Sequence, residues 1–135
     1  MQEYDFKFDE WNRVKKKTEK FKNRKYVEIK KIYWVKLGQN IGTEIYGKGK
    51  DFARPVLVIN SFYNGSFLGV PLSSKTSNKS GKLYYKFFDS KERLQVALLG
   101  QIRIFDSKRK LELMSSINDT DFQIIKNKIK EVIVN

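Results

Sequence analysis

The sequence predicts a mainly β chain framed by terminal helices, an α+β domain whose strands curl into a small barrel or sandwich. Three observations lead there. Short apolar segments separated by turn residues run from Lys30 to Ile117, the pattern of many short strands. At both ends the apolar residues recur instead every three or four positions, as on a helix. The 135 residues, 40% hydrophobic and 14% aromatic, are enough for one packed core and leave little room for a second.

Each element has its own signal. Residues 3–22 place Tyr4, Phe8, Trp11, Val14, Thr18 and Phe21 on one helical face. The other face is densely basic from Arg13 to Lys25, with Glu19 the only acid in that span. Residues 1–29 therefore read as a basic amphipathic extension, and residues 30–135 as the β-rich domain. Lys31–Leu37 is a first strand. Gly38–Ala53, with four glycines among polar residues, reads as a long mobile loop, longer than an ordinary structureless connection and so a functional one. Arg54–Phe62 is the most apolar strand and reads as central, with Phe62 in the core. Asn64-Gly65 signals a hairpin turn into a strand over Ser66–Leu72. After the polar loop Ser74–Gly81, strands follow at Lys82–Phe88, Leu94–Leu99, Gln101–Phe105 and Lys110–Ile117. Asn118, Asp119 and Asp121 then offer a cap and acids for a helix N-terminus. Phe122, Ile125, Ile129 and Val132 continue it at helical spacing.

Composition narrows the chemistry. The formal charge is +13, from 28 Lys and Arg against 15 Asp and Glu. That excess favours a polyanionic partner: RNA or DNA first, an acidic protein segment second, an anionic membrane third. The chain has neither cysteine nor histidine. Disulfides, thiolate metal sites and the commonest general base are thereby excluded, and no metal or cofactor is expected. Without a spanning apolar run or a basic-then-apolar leader, the chain is expected to be cytoplasmic, with no membrane partner.

The most informative stretch is Phe52-Ala53-Arg54-Pro55-Val56-Leu57-Val58-Ile59. An arginine at the mouth of an apolar strand suits a phosphate better than a core. Pro55 biases Arg54 towards an extended backbone, which holds the guanidinium at a defined edge. Gly69-Val70-Pro71-Leu72-Ser73-Ser74 and Leu99-Gly100-Gln101-Ile102-Arg103-Ile104-Phe105-Asp106 follow downstream. With Ile32-Tyr33-Trp34-Val35-Lys36-Leu37 and Ile41-Gly42-Thr43-Glu44 upstream, the set resembles, in order, the signatures of the MazF/PemK toxins over residues 32–134. The resemblance implies an SH3-like barrel with a C-terminal helix (MazF/CcdB-like), here with an extra N-terminal helix. It also implies a sequence-selective endoribonuclease, a homodimer, and an antitoxin whose acidic extended tail competes with single-stranded RNA for one basic groove.

RNA cleavage needs no histidine, because the substrate brings its own nucleophile, the 2′-hydroxyl beside the scissile phosphate. The protein must align it, stabilise phosphorane charge and help the 5′-oxygen leave. Arg54 suits the second task. The resemblance assigns the hydroxyl that follows the apolar-Pro-apolar segment to a phosphate oxygen or the 2′-hydroxyl. Relatives carry threonine there and this chain carries Ser73, with Ser74 beside it. Glu44 resembles the family's acid near the site, as a base or a brace for Arg54. Gln101 and Arg103 match the Gln-Ile-Arg segment next to the groove, Arg103 to meet phosphate or pair with Asp106. The Arg-x-Asp pair of the PemK branch is absent, its positions being Leu98 and Gly100, which puts the weight on Arg54 and Ser73. Lys48, Lys50, Lys75, Lys79 and Lys82 would flank the groove with charge. Tyr46, Phe52 and the Phe62-Tyr63 pair offer rings to stack on bases. The N-terminal helix packs on a barrel end, steers RNA or steadies a dimer. Two rivals use the same fold: a CcdB-like gyrase poison, with no role for Arg54 and Ser73, and a non-catalytic RNA- or protein-binding module.

Overall fold

The computed structural model describes residues 3–19, 25–38, 45, 47–49 and 51–134, with side chains of the first helix from residue 7 onward. Glu3–Glu19 forms helix α1. Seven strands follow: β1 (Lys31–Lys36), β2 (Ala53–Ser61), β3 (Ser66–Ser73), β4 (Tyr84–Phe88), β5 (Leu94–Leu98), β6 (Arg103–Asp106) and β7 (Lys110–Ser116). Helix α2 (Asp119–Lys128) closes the chain with a wide π-type turn over Ile129–Ile133. The strands make one antiparallel sheet in the order β4-β5-β3-β2-β1-β7, and β6 branches onto β3.

The branch explains the curl. Ser66–Gly69 of β3 pairs with β6, while Leu72 and Ser73 pair with β5. One strand thus serves two neighbours on the same side, and the sheet must bend between them. The sequence predicts a strand that starts at Gln101. The structure instead turns Leu99–Gln101 into one 3-10 turn, with the Ile102 N–H on the Leu99 carbonyl at 3.3 Å. That turn carries the chain from the β5 half of β3 to the β6 half. A glycine at residue 69 is required at the bend: a Cβ there would lie 2.5 Å from Val56 Cγ1 and 3.1 Å from the Phe105 ring.

Two apolar cores flank β1, β2 and β3. Ile32, Leu57, Val70, Leu72, Phe87 and Leu99 pack under Phe122, Ile125 and Ile129 of the C-terminal helical segment. Tyr33, Val35, Leu37, Val56, Val58 and Phe67 pack with Val27 and Phe105 on the other face. Burial on both faces is why Val56-Leu57-Val58 reads as an unbroken apolar run rather than an alternation. α2 is held at its start by Asn118, whose side chain accepts from the Asp121 N–H. Lys30 pairs with Asp119, and the Tyr85 hydroxyl donates to Asp121 at 2.5 Å. Burial and that contact push the Tyr85 phenol up to about 12.

Phe62 departs from expectation. β2 ends at Ser61, and the Phe62 N–H closes the three-residue turn Tyr63-Asn64-Gly65 on the Ser66 carbonyl at 2.9 Å. Phe62 is therefore 36% exposed rather than core. Asn64 Oδ1 accepts from the Ser66 N–H, and Gly65 takes the left-handed φ of +85° that the turn demands.

α1 packs on the barrel through the residues at helical spacing. Trp11 is buried against Phe52, with ring centroids 5.7 Å apart. Thr18, which interrupts the apolar stripe in sequence, belongs to the buried face: its hydroxyl accepts from Lys36 Nζ at 3.0 Å and donates to the Val14 carbonyl. Lys15 and Arg109 lie over the Trp11 ring. No helix among the described residues is long and apolar enough to cross a membrane.

Candidate active site

The two prolines of the chain open the sheet where the site lies. Neither has an N–H to give a ladder. The β2–β3 pairing ends at Val56↔Pro71, and beyond it Ala53, Arg54 and Pro55 part from Leu72 and Ser73. The buried Arg54 side chain, 7% exposed, spans the gap and donates from Nη1 to the Leu72 carbonyl at 3.4 Å. A cleft of about 560 Å³ opens there, lined by Arg54, Ser73 and Ser74, with Trp34, Pro55, Leu94 and Met114 as apolar walls.

Ser73 ends β3 and is 6% exposed. Its hydroxyl oxygen accepts from the Lys75 N–H at 3.1 Å, so the hydroxyl proton is directed to some other acceptor. Lys48 enters from the opposite rim, fixed by two backbone bonds with Ala53 at 2.8 and 3.0 Å. Its ammonium is held below the usual lysine range, first by the charge of Lys75, then by desolvation and by Arg54, with Lys79 adding a smaller push. Lys48, Arg54 and Arg93 line the cleft, and Lys75 and Lys79 stand near enough to repel Lys48, an arrangement relieved by a bound anion.

The far wall has no counterpart among the sequence candidates. Arg93, Leu94 and Gln95 reach the cleft from the start of β5. Asp89 sets them in place. Its carboxylate, wholly buried, accepts from the N–H groups of Lys91 and Arg93, from Gln95 Nε2 at 3.1 Å and from Ser115 Oγ at 3.0 Å. Arg93 Nε stands 3.5 Å away. Burial alone would raise the Asp89 pKa, but those hydrogen bonds outweigh it and lower it. An isolated acid in a short polar turn carries no sequence signal for such a role. Trp34 does carry one, as an aromatic inside an early strand, but its place on the cleft wall is a tertiary fact.

The remaining sequence candidates lie as follows. Gln101 sits in a separate depression of about 190 Å³ with Lys79, and its Oε1 accepts from the Ile45 N–H at 3.1 Å. Arg103 opens β6 and lies over the Phe105 ring at 4.7 Å, away from the residues that line the cleft. Phe52 is buried under Trp11 and presents no ring to a base, whereas Tyr63 is fully exposed. Lys82 is exposed beyond the second polar loop. Glu44, Tyr46 and Lys50 lie outside the described residues. Among the described residues, no three His, Cys, Asp or Glu side chains come together as a metal site.

Known proteins share this fold. The chain is similar to MazF from Deinococcus radiodurans at 20% identity and a TM-score of 0.65, covering 82% of this chain and 100% of that one. It is similar to an endoribonuclease solved with its cognate antitoxin from Mycobacterial species, at 11% identity and a TM-score of 0.62, over 81% and 96% of the two chains. The Mycobacterium tuberculosis toxin MazF-mt6 follows at 10% identity and a TM-score of 0.56, over 75% and 93%. At such identities the likeness is one of fold. No curated protein matches the chain. The sequence pattern of one family, however, matches residues 28–133, the whole β-rich domain with α2. The chain therefore belongs to the PemK-like, MazF-like toxins of type II toxin-antitoxin systems.

Proposed function

We propose that this toxin is an endoribonuclease that cuts single-stranded mRNA within selected sequences by attack of the 2′-hydroxyl, without need of a metal or cofactor. The observation that carries the reading is Arg54, buried at the broken β2–β3 ladder beside Ser73, with Lys48 on the same cleft and Lys75 and Lys79 close enough to Lys48 to repel it. The phosphodiester lies across the cleft. Arg54 stabilises the charge that builds on the non-bridging oxygens, and Ser73 donates its proton to one of them or orients the 2′-hydroxyl. The lysines hold flanking phosphates, and the Trp34 face suits an unstacked base. Glu44 remains the proposed base or brace for Arg54. The O2′–phosphorus bond forms as the phosphorus–O5′ bond breaks. The products are a 2′,3′-cyclic phosphate and a 5′-hydroxyl.

The proposal extends to partners. One of the similar structures is an endoribonuclease in complex with its cognate antitoxin, and a chain of charge +13 suits an antitoxin with an acidic, extended tail that lies in the same cleft. A homodimer is the proposed assembly.

The test incubates the purified protein with a long single-stranded RNA in EDTA, beside Arg54→Ala, and maps the product ends. Discrete cuts ending in 2′,3′-cyclic phosphate, slowed about a hundred- to a thousandfold in the variant, support the reading. RNA that is bound but left intact by the parent makes the chain a binding module, and gyrase inhibition is then the next assay.

A further inference from the structure

Trp11 precedes the family-matched residues 28–133, yet it sits on the turn that feeds the cleft. One side of its ring meets Phe52 at a centroid distance of 5.7 Å. Another meets the backbone of Gly38, so closely that a Cβ on residue 38 would lie 2.0 Å from Trp11 Cε2. Gly38 has φ +90°, so glycine serves both the close approach and the backbone. These two residues belong to one hydrogen-bonded unit. The Phe52 carbonyl accepts from the N–H groups of both Leu37 and Gly38, at 2.9 and 3.0 Å. The Gly47 N–H donates to the Gly38 carbonyl at 2.7 Å, and Lys48 and Ala53 exchange two bonds.

Phe52 itself has φ +51°, the left-handed region, unfavourable for a residue with a Cβ and persisting only where the surroundings hold it. Its ring is buried beneath Trp11. Lys48 stands on one side of Phe52 and Arg54 two residues beyond it, and both line the cleft. Arg109, half-buried and donating to the Lys36 carbonyl at 3.1 Å, lies over the Trp11 ring, 5.5 Å from its centroid.

We propose that Trp11 is a positioning residue for RNA cleavage, pinning Phe52 in its left-handed conformation and so fixing Lys48 and Arg54 relative to each other. The inference rests on the ribonuclease reading. It gives the N-terminal helix a role in the chemistry of a cleft that it does not line.

The test compares the full-length parent with Trp11→Leu, which keeps an apolar side chain but no ring plane, and with Trp11→Phe. Amide exchange is followed at Lys48 and Ala53, and at Val70 and Ala97 in the core strands. Turnover of an RNA oligonucleotide is followed across salt concentrations. In Trp11→Leu, exchange at Lys48 and Ala53 rises while Val70 and Ala97 are unmoved, kcat falls about ten- to a hundredfold, and the salt dependence of KM flattens. Trp11→Phe restores all three. A smaller active fraction alone lowers kcat and leaves the salt dependence of KM untouched. Unchanged exchange at Lys48 and Ala53 overturns the proposal. So does exchange that rises equally in the core strands, or a Trp11→Leu chain that does not fold, because Trp11 is then a general stabiliser. If the parent cleaves no RNA, the ribonuclease reading fails by itself, and exchange still decides whether Trp11 holds the turn.

Discussion

Ser73 shows how one atom is prepared by its neighbours. A serine at a strand end has a free rotor, but here the oxygen accepts from the Lys75 N–H, which restrains the rotor and leaves the O–H to be donated into the cleft. Ser73→Ala removes that donor and is expected to slow cleavage by roughly a hundredfold, at a cost to stability of about 0.5–1 kcal/mol for the broken turn bond. Ser73→Thr keeps the hydroxyl and stiffens its rotamer, so its initial rate stays close to that of the parent. Cleavage rates beside circular dichroism check both. An alanine variant as fast as the parent reduces Ser73 to a turn cap. That Arg54 and Ser73 meet at one cleft agrees with the sequence, where Arg54 is marked by the proline that follows it and Ser73 by the family resemblance of the Val70-Pro71-Leu72 segment before it.

Among the elements, the β4–β5 turn is organised by one buried carboxylate. Asp89 gathers two backbone N–H groups, Gln95 and Ser115, and holds Arg93 at the cleft wall. Asp89→Ala leaves those donors buried and unmatched, and is expected to cost about 2–4 kcal/mol. The pH dependence follows from the direction of the shift. The folded pKa is depressed, so the contribution is present above the ordinary carboxylate value of about 4 and is lost as the pH falls through the lower folded value. Urea unfolding of parent and Asp89→Asn along a falling pH series therefore shows a stability gap that narrows below about pH 4. A gap that is constant with pH contradicts the assigned hydrogen bonds. The strands themselves were legible because apolar runs bounded by turn residues survive any packing. The 3-10 turn at Leu99–Gln101 was not, since Leu-Gly-Gln-Ile-Arg reads as well extended, and only the transfer from one half of β3 to the other bends it.

Over the whole molecule, charge is the property through which the proposed RNA substrate is expected to meet the cleft. The excess of 28 basic over 15 acidic residues includes Lys48 and Arg54 on the cleft, with Lys75 and Lys79 close enough to Lys48 to lower its pKa. Removing one lysine–phosphate pair lowers the slope of log K against log salt by about 0.7 for single strands. Lys48→Gln combined with Lys75→Gln is thus expected to flatten the slope of RNA binding by roughly 1.4, measured on an Arg54→Ala background. Lys130→Gln, exposed on the C-terminal turn, serves as the control and leaves the slope unchanged. Equal slopes in all variants place the RNA elsewhere on the basic surface.

By itself the sequence determined the run of strands along the chain, the two terminal helices and the family motifs, because periodicity and proline placement are local properties. The tertiary structure alone decided that Thr18 is buried and Phe62 exposed, that β3 serves two partners, that Asp89 braces Arg93, and that Trp11 sits over Gly38 and Phe52. Each of these depends on which distant segments meet. Residues 11 and 52 lie 41 positions apart in the chain, and no local pattern encodes the contact that joins the N-terminal helix to the base of the cleft.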